Sequence, residues 1–415
     1  MLAINGGKKS INKEFQRFNT YGDDEIKAVS DVVKSTILSD YLGEAGSGFL
    51  GGKKVREFES EWSQNFFIEN SIAVNSATSG LVCALGALQL NPGDEVIVTP
   101  WTMSATAASI LVWNAIPVFV DIEDERFGLD PIKVKSMINE KTKAIVVANI
   151  FGVASKLDRL IEIAKENNLF LIEDNSQAIG SFYKGKFTGC VGDIGVFSLN
   201  YHKHIHTGEG GVCVTNNNDL AYKMRLIRNH GEAVIGENND FIGGILGFNF
   251  RMGEIEAALG IVQLKKLQSI IRERQNNAAI LDDALFDYSF LRLPYNTKEI
   301  TNVYYAYPMV LNTNMINRQE LYNALVAEGV PGLALAYTQL HKLKVFQQKA
   351  VYGSSNFPWS LNSDKKYDYS EGAFPVVKRL NSSEYLNFAI GLINLKEKDC
   401  IQIAKAFKKV LNEFT

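Results

Sequence analysis

Gly195-Val196-Phe197-Ser198-Leu199-Asn200-Tyr201-His202-Lys203-His204-Ile205-His206-Thr207-Gly208-Glu209-Gly210-Gly211 is the stretch that decides how this chain folds. An apolar strand, Ile194 to Leu199, carries Ser198 near its end. Lys203 follows on a short loop, and the glycine-rich turn Gly208 to Gly211 starts a second strand, Val212 to Thr215. A lysine held between two strands beside hydrogen-bonding groups is a candidate Schiff-base former. Most loop lysines are merely solvated, so the reading depends on what the preceding chain brings to this one.

Upstream, short apolar runs alternate with helical patterns. Strands are expected at Ser71–Val74, Glu95–Val98, Pro117–Asp121, Ala144–Asn149 and Leu169–Asp174. Helices are expected between them, at Ser79–Leu90, Ser104–Trp113, Pro131–Asn139 and Leu157–Glu166. This alternation implies an α/β fold with a mostly parallel central sheet and helices on both faces. Sites in such sheets lie at the carboxyl ends of the strands. The first strand ends in Asn75-Ser76-Ala77-Thr78-Ser79-Gly80, small residues at a helix start that suit an anion such as phosphate. The Leu169–Asp174 strand ends in Asp174-Asn175-Ser176-Gln177-Ala178. A carboxylate at the end of a buried strand is costly to keep ionised without a cationic partner. A phosphate cradle, a strand-end aspartate and a later lysine together are what pyridoxal phosphate requires: an anchor, a counter-charge for the ring nitrogen and an amine for the aldehyde.

These segments resemble the DegT/DnrJ/EryC1/StrS family of sugar aminotransferases, with fold type I of the pyridoxal phosphate enzymes. The resemblance runs from about Tyr41 to the C-terminus and rests on ordered motifs: Asn75–Ser79, Pro117–Ile122, Ile172–Ala178, Phe197-Ser198 followed by Lys203 and Gly208–Gly211, Arg228–Gly231, and Gly247–Met252. It implies that Lys203 forms the imine with the cofactor and then moves the proton between substrate and cofactor carbons. It implies that Asp174 pairs with the ring nitrogen and that Gln177 approaches the ring hydroxyl. Ser198, Ala77 and Thr78 would hold the phosphate, and Asn249 would reach the phosphate bound by a second subunit, which calls for a homodimer. The reaction implied moves an amino group from L-glutamate to a keto sugar, most often nucleotide-linked, in two half-reactions. The products are amino sugars for surface polysaccharides or antibiotics.

The chain departs from the family pattern at two positions. Met103 stands where an aromatic residue usually stacks on the cofactor ring, with Trp101 close by as the other candidate, and Asn149 stands where a histidine is frequent. A thioether can pack on a ring. His341 in Gln339-Leu340-His341 matches a histidine that approaches the site in the family, and with Trp101 it is the expected substrate contact. His202, His204 and His206 alternate and invite a metal reading; a metal there would compete with the lysine imine, so none is expected. Some relatives are pyridoxamine phosphate-dependent dehydratases with histidine in place of the lysine, and others are non-catalytic. The spacing from Ser198 and from Gly208 puts Lys203 in that slot.

The remaining sequence bounds the setting. With 43 Lys+Arg against 46 Asp+Glu, no electrostatic footprint for nucleic acid or an anionic membrane is present. The uncharged stretch Val96–Val120 is broken by Pro100 and Pro117 and reads as buried core, not a membrane span. The cysteines Cys83, Cys190, Cys213 and Cys400 form no Cys-x-x-Cys pair, and the N-terminus lacks the apolar run of a secretion signal; both point to the cytoplasm. Amphipathic helices are expected at Asp23–Val33, Val55–Phe66 and Glu254–Ile270. Residues 1–275 are read as an N-terminal segment and large cofactor-binding domain, and residues 276–415 as a smaller α+β domain. In the latter, a strand is expected at Tyr304–Val310, a helix at Arg318–Glu328 capped by Asn317, and a closing helix near Lys396–Phe414. Specificity is assigned to the segments 230–245 and 350–380, the second being a polar excursion able to line the sugar pocket.

Overall fold

The computed structural model describes residues 1–414 apart from 44–45, 232, 236–239 and 243. Helices α1 (Asp23–Ser35) and α2 (Lys53–Phe66) precede the sheet region. There follow β1 (Asn70–Val74), α3 (Ala77–Ala87), β2 (Glu95–Val98), α4 (Ser104–Val112), β3 (Ile116–Phe119), α5 (Pro131–Met137), β4 (Thr142–Ala148), α6 (Leu157–Glu166) and β5 (Phe170–Asp174). A small hairpin, β6 (Phe182–Tyr183) and β7 (Lys186–Phe187), leads to β8 (Ile194–Ser198), β9 (Gly211–Thr215) and α7 (Asn218–Arg228). The seven-stranded sheet has the order β1-β9-β8-β5-β4-β2-β3. Only β9 opposes its neighbours; the other pairings are parallel. The central strands are buried along their length, as strands covered on both faces must be.

After the short pair β10 (Ala233–Ile235) and β11 (Asp240–Ile242), α8 runs from Glu254 to Leu285. It runs beyond the expected Ile270, and Arg274 and Asn277 in the added turns are buried although polar. Its first half packs Ala257, Ile261, Leu264 and Ile271 with the large-domain strands. Its last turns join Ala278, Leu281 and Leu285 to a second core with Tyr307, Met309, Phe388 and Phe407. That core surrounds an antiparallel sheet of order β12-β13-β15-β14, made of β12 (Leu291–Arg292), β13 (Tyr307–Leu311), β14 (Leu333–Ala334) and β15 (Tyr385–Phe388). Helices α9 (Arg318–Glu328), α10 (Lys344–Gln347), α11 (Pro375–Arg379) and α12 (Glu397–Leu411) complete the chain. Asn317 caps α9 as expected, accepting from Gln319 and Glu320 N–H groups. The strand expected from Tyr304 starts at Tyr307, since Tyr304 takes a left-handed φ of 50° and its N–H donates to the Asn302 side chain at 2.7 Å.

The N-terminal segment belongs to this second core. Leu2 and Ile11 are buried in it, and Glu328 accepts from the Ala3 and Ser10 N–H groups and the Ser10 hydroxyl. None of the helices among the described residues is long and apolar enough to cross a membrane.

Each outer strand of the large sheet has one residue whose outward backbone groups are engaged by side chains. At β1, the Ala73 N–H donates to Glu59 Oε1 at 2.8 Å, and Arg228 Nη1 donates to the Ala73 carbonyl at 3.0 Å. Arg228 and Glu59 meet at 2.6 Å with Arg228 fully buried. At β3, the Tyr369 hydroxyl donates to the Pro117 carbonyl at 2.6 Å. Trp359, Tyr367, Tyr369 and Phe374 pack into the same core as Phe119. The excursion 350–380 therefore covers the β3 side of the sheet, and none of its residues lines the cavity described next. Its anchor is Glu95, fully buried at the start of β2, which accepts from Lys365, from the Tyr367 hydroxyl at 2.5 Å and from Asn139.

Candidate active site

The carboxyl ends of β1, β2, β4, β5 and β8 open into one cavity of about 180 Å³. β1 delivers Ala77 and Thr78, the first residues of α3. The α3 cap is Ser76, whose hydroxyl accepts the Ser79 N–H at 3.1 Å. The N–H groups of the first helical turn lack intrahelical acceptors, and the helix dipole favours an anion there. Gly211 permits this arrangement: a Cβ on it would lie 2.6 Å from the Ala77 nitrogen, so the start of β9 passes directly against the α3 terminus. Ser198, the last residue of β8, lines the cavity next to them.

Asp174 ends β5 and is 6% exposed. Its carboxylate accepts the Thr106 hydroxyl at 2.7 Å and the Ser176 N–H at 3.2 Å. Among the described residues it forms no ion pair. A buried carboxylate served only by a hydroxyl and one amide calls for a cation. Lys203, 7% exposed, faces the same cavity. Burial pushes its ammonium down to about 8, against the upward pull of Asp174. Its Nζ stands 4.7 Å from the centroid of the Tyr305 ring.

Gln177 is held on both sides: its carbonyl accepts the Phe151 N–H at 2.8 Å and its amide donates to the Tyr337 hydroxyl at 2.8 Å. The second amide hydrogen remains for the cavity it lines. Asn149 lines the cavity too, yet its side chain is committed to Glu173, Asn175 and the Ser155 N–H. The position is thus structural in this chain. Met103 lies at the start of α4 and is 57% exposed at the cavity wall, free to lie over a ring.

Two expected substrate contacts do not line the cavity. Trp101 is fully buried among Phe127, Phe151, Tyr337 and Tyr385, with ring centroids 5.1–6.1 Å apart. Pro100 and the Trp101 N–H bond to Thr99 turn the indole into the core, and Met103, not Trp101, is left at the wall. His341 is 1% exposed and packs on Phe374 at 4.7 Å; burial pushes its imidazole down to about 4. Asn249 is exposed outside the cavity, its carbonyl oxygen accepting from Arg251 Nε at 2.9 Å. Of the segment 230–245, residues 232, 236–239 and 243 lie outside the described residues.

The three alternating histidines occupy three separate settings. His204 is buried and donates from Nε2 to the Val303 carbonyl at 2.8 Å. His206 stacks on Tyr21 at 4.5 Å. His202 lines the cavity, and burial followed by Lys203 pushes its imidazole down to about 4. Sequence reading missed Thr106, Tyr305 and Tyr337. Thr106 sits one helical turn after Met103–Thr102 and had a local signal; the two tyrosines come from far along the chain and had none.

The residues fit pyridoxal phosphate. An anion cradle, a buried acid without a cation and an amine of lowered basicity line one cavity, with a thioether on its wall.

Comparison with known proteins finds aminotransferases similar to this chain. The model of the DegT/DnrJ/EryC1/StrS aminotransferase family matches residues 37–368. The L-glutamine:scyllo-inosose aminotransferase of Streptomyces griseus is 30% identical over 426 residues, covering 99% of this chain and 97% of that protein. The GDP-perosamine synthase of Caulobacter vibrioides is 39% identical over 224 residues, 54% of this chain and 60% of that protein. Among solved structures, an aminotransferase from Psychrobacter cryohalolentis superposes with a TM-score of 0.83 at 27% identity, covering 97% of this chain and 100% of the other.

Proposed function

The chain belongs to the DegT/DnrJ/EryC1/StrS aminotransferase family, and from that premise we propose that it transfers the amino group of L-glutamate to a nucleotide-linked keto sugar. The product would be an amino sugar for a surface polysaccharide or an antibiotic. The observation that carries the reading is Lys203 facing the same cavity as Asp174 and the α3 terminus. A GDP-sugar relative supports the nucleotide link. A relative matched over 99% of this chain is named for L-glutamine and a cyclitol ketone, which keeps L-glutamine as a second donor.

Bound pyridoxal phosphate supplies an aldehyde for the amine and a ring that withdraws electrons from the substrate carbon. Asp174, oriented by Thr106, holds a proton on the ring nitrogen. Ala77, Thr78 and Ser198 take the phosphate at the α3 terminus. Gln177, fixed by Phe151 and Tyr337, presents its remaining N–H to the ring hydroxyl. Met103, on the cavity wall, would pack on the bound group through its thioether. Lys203 would hold the group through its amine and, as a free amine, would serve as the general base and acid for the substrate's proton. An amine that titrates near 8 is uncharged often enough at neutral pH to act as that base. Asn249, exposed outside the cavity, would contact the phosphate site of a second copy, and the working unit of this reading is a homodimer in the cytoplasm.

The test is the visible absorption of the full-length chain with pyridoxal phosphate, before and after L-glutamate or L-glutamine, beside Lys203→Ala. A band that bleaches with the donor and is missing in the variant is expected. A wild-type chain without the band overturns the assignment of Lys203 and favours the dehydratase or non-catalytic alternatives.

A further inference from the structure

The amine of Lys203 is surrounded by few groups that can hold it. Asp174 approaches from β5, His202 and His204 flank it on its own loop, Glu209 lines the same cavity, and Arg274 of α8 and the Tyr337 hydroxyl lie behind Tyr305. Among the described residues Lys203 makes no ion pair. Its Nζ lies over the Tyr305 ring, 4.7 Å from the centroid, within the range of cation–π attraction.

The backbone that carries Tyr305 is held by its neighbours. The Val303 N–H donates to the Gly152 carbonyl at 2.9 Å, and the Val303 carbonyl accepts from His204 Nε2 at 2.8 Å. A Cβ on Gly152 would lie 2.8 Å from the Tyr305 nitrogen, and one on Gly391 would lie 2.5 Å from the Tyr305 carbonyl oxygen. Tyr304 adopts a positive φ of 50°, which turns the chain just before the ring. A residue of the second domain is thereby fixed against the lysine of the first.

We propose that Tyr305 is a positioning residue whose ring face holds the Lys203 ammonium in the cavity and sets how readily it gives up its proton. The uncharged amine has no such attraction to the ring face, so the contact stabilises the charged form alone. Burial lowers the basicity of this amine, and the ring acts against burial, as Asp174 does. The hydroxyl of Tyr305 is not required; the negative face of the ring is.

This deepens the reading of Lys203 as the reactive amine, and it is tested without cofactor or activity. The full-length chain is exposed to trace 1-fluoro-2,4-dinitrobenzene across a pH series, and labelling of the Lys203 peptide is quantified by mass spectrometry. Tyr305→Phe is expected to titrate as the wild type does. Tyr305→Leu is expected to titrate about one pH unit lower. A phenylalanine at 305 carrying two or three ring fluorines keeps the shape and weakens the negative face, so its titration is expected to fall between the two. Equal titration in the fluorinated and unfluorinated phenylalanine proteins overturns the proposal, even if Tyr305→Leu does not fold. A shift in Tyr305→Phe as large as in Tyr305→Leu also overturns it, since the hydroxyl would then be the active group. A chain that shows the fluorine dependence yet forms no visible band with pyridoxal phosphate keeps this proposal and rejects the functional reading alone.

Discussion

Thr106 Oγ1 donates to Asp174 Oδ2 at 2.7 Å, joining the first turn of α4 to the end of β5. The bond helps to fix the rotamer of the acid that lines the cavity. Thr106→Val keeps the side-chain shape and removes the donor. Pyridoxal phosphate is expected to bind this variant about tenfold more weakly, from a lost hydrogen bond to a charged group worth about 1.5 kcal/mol. Fluorescence titration with the cofactor checks it, and Asp174→Asn is expected to lose far more.

Burial disfavours the Lys203 ammonium and pushes it down to about 8 from the ordinary 10.5 of a lysine, against the pull of Asp174. Only the uncharged amine attacks an aldehyde. The rate of band formation after mixing with pyridoxal phosphate is therefore expected to rise with pH up to about 8 and then level. Stopped-flow absorbance over pH 6–10 measures this, and a rate still climbing steeply at the upper limit would contradict it.

Glu95 holds Lys365, Tyr367 and Asn139 at the end of β2 remote from the cavity. Glu95→Ala strands the Lys365 ammonium and the buried Tyr367 hydroxyl. A loss of about 3 kcal/mol is expected from breaking a buried charge pair. Proteolysis is expected to begin within 350–380, while cofactor binding in the surviving folded protein stays at the wild-type level. Denaturant melts, timed digestion and the visible band read the three parts separately.

Glu328 is the tether of the N-terminal segment. Burial pushes its carboxyl up, but Lys409, Ser10 and the Ala3 and Ser10 N–H groups pull it down to about 2 overall. A carboxyl depressed on folding contributes stability above its unfolded value and loses that contribution as pH falls through the folded one. The melting temperature of Glu328→Gln is thus expected to lie below that of the wild type by a constant amount above about pH 4.5. The gap is expected to close as pH approaches 2. A gap independent of pH would show that packing, not charge, holds the segment.

Much of the fold and the site could be read from local pattern. β2, α6 and α9 fall on the expected residues because each is bounded by its own signals, such as the Asn317 cap. Asp174, Lys203, Ser198, Ala77, Thr78 and Gln177 converge on one cavity because strand ends in a parallel sheet share one side. What escaped is non-local. Tyr305 and Tyr337 reach the site from the second domain across more than a hundred residues of sequence, and no spacing rule links them to Lys203. Trp101 looked exposed to ligand because it follows a strand end, yet four aromatic neighbours drawn from distant segments enclose it. The 350–380 excursion reads as polar and free, and its order comes from single buried partners, Glu95 above all, which composition does not reveal.

The engaged outer strands of the large sheet bear on how copies of this chain can meet. An open strand is a template on which a foreign chain can continue the ladder, the usual start of fibrous aggregation. Here the Ala73 amide and carbonyl are taken by Glu59 and Arg228, and the Pro117 carbonyl by Tyr369. At those two positions a foreign strand meets side chains in place of open backbone groups, so continuing the ladder there would first have to break the Glu59, Arg228 and Tyr369 contacts.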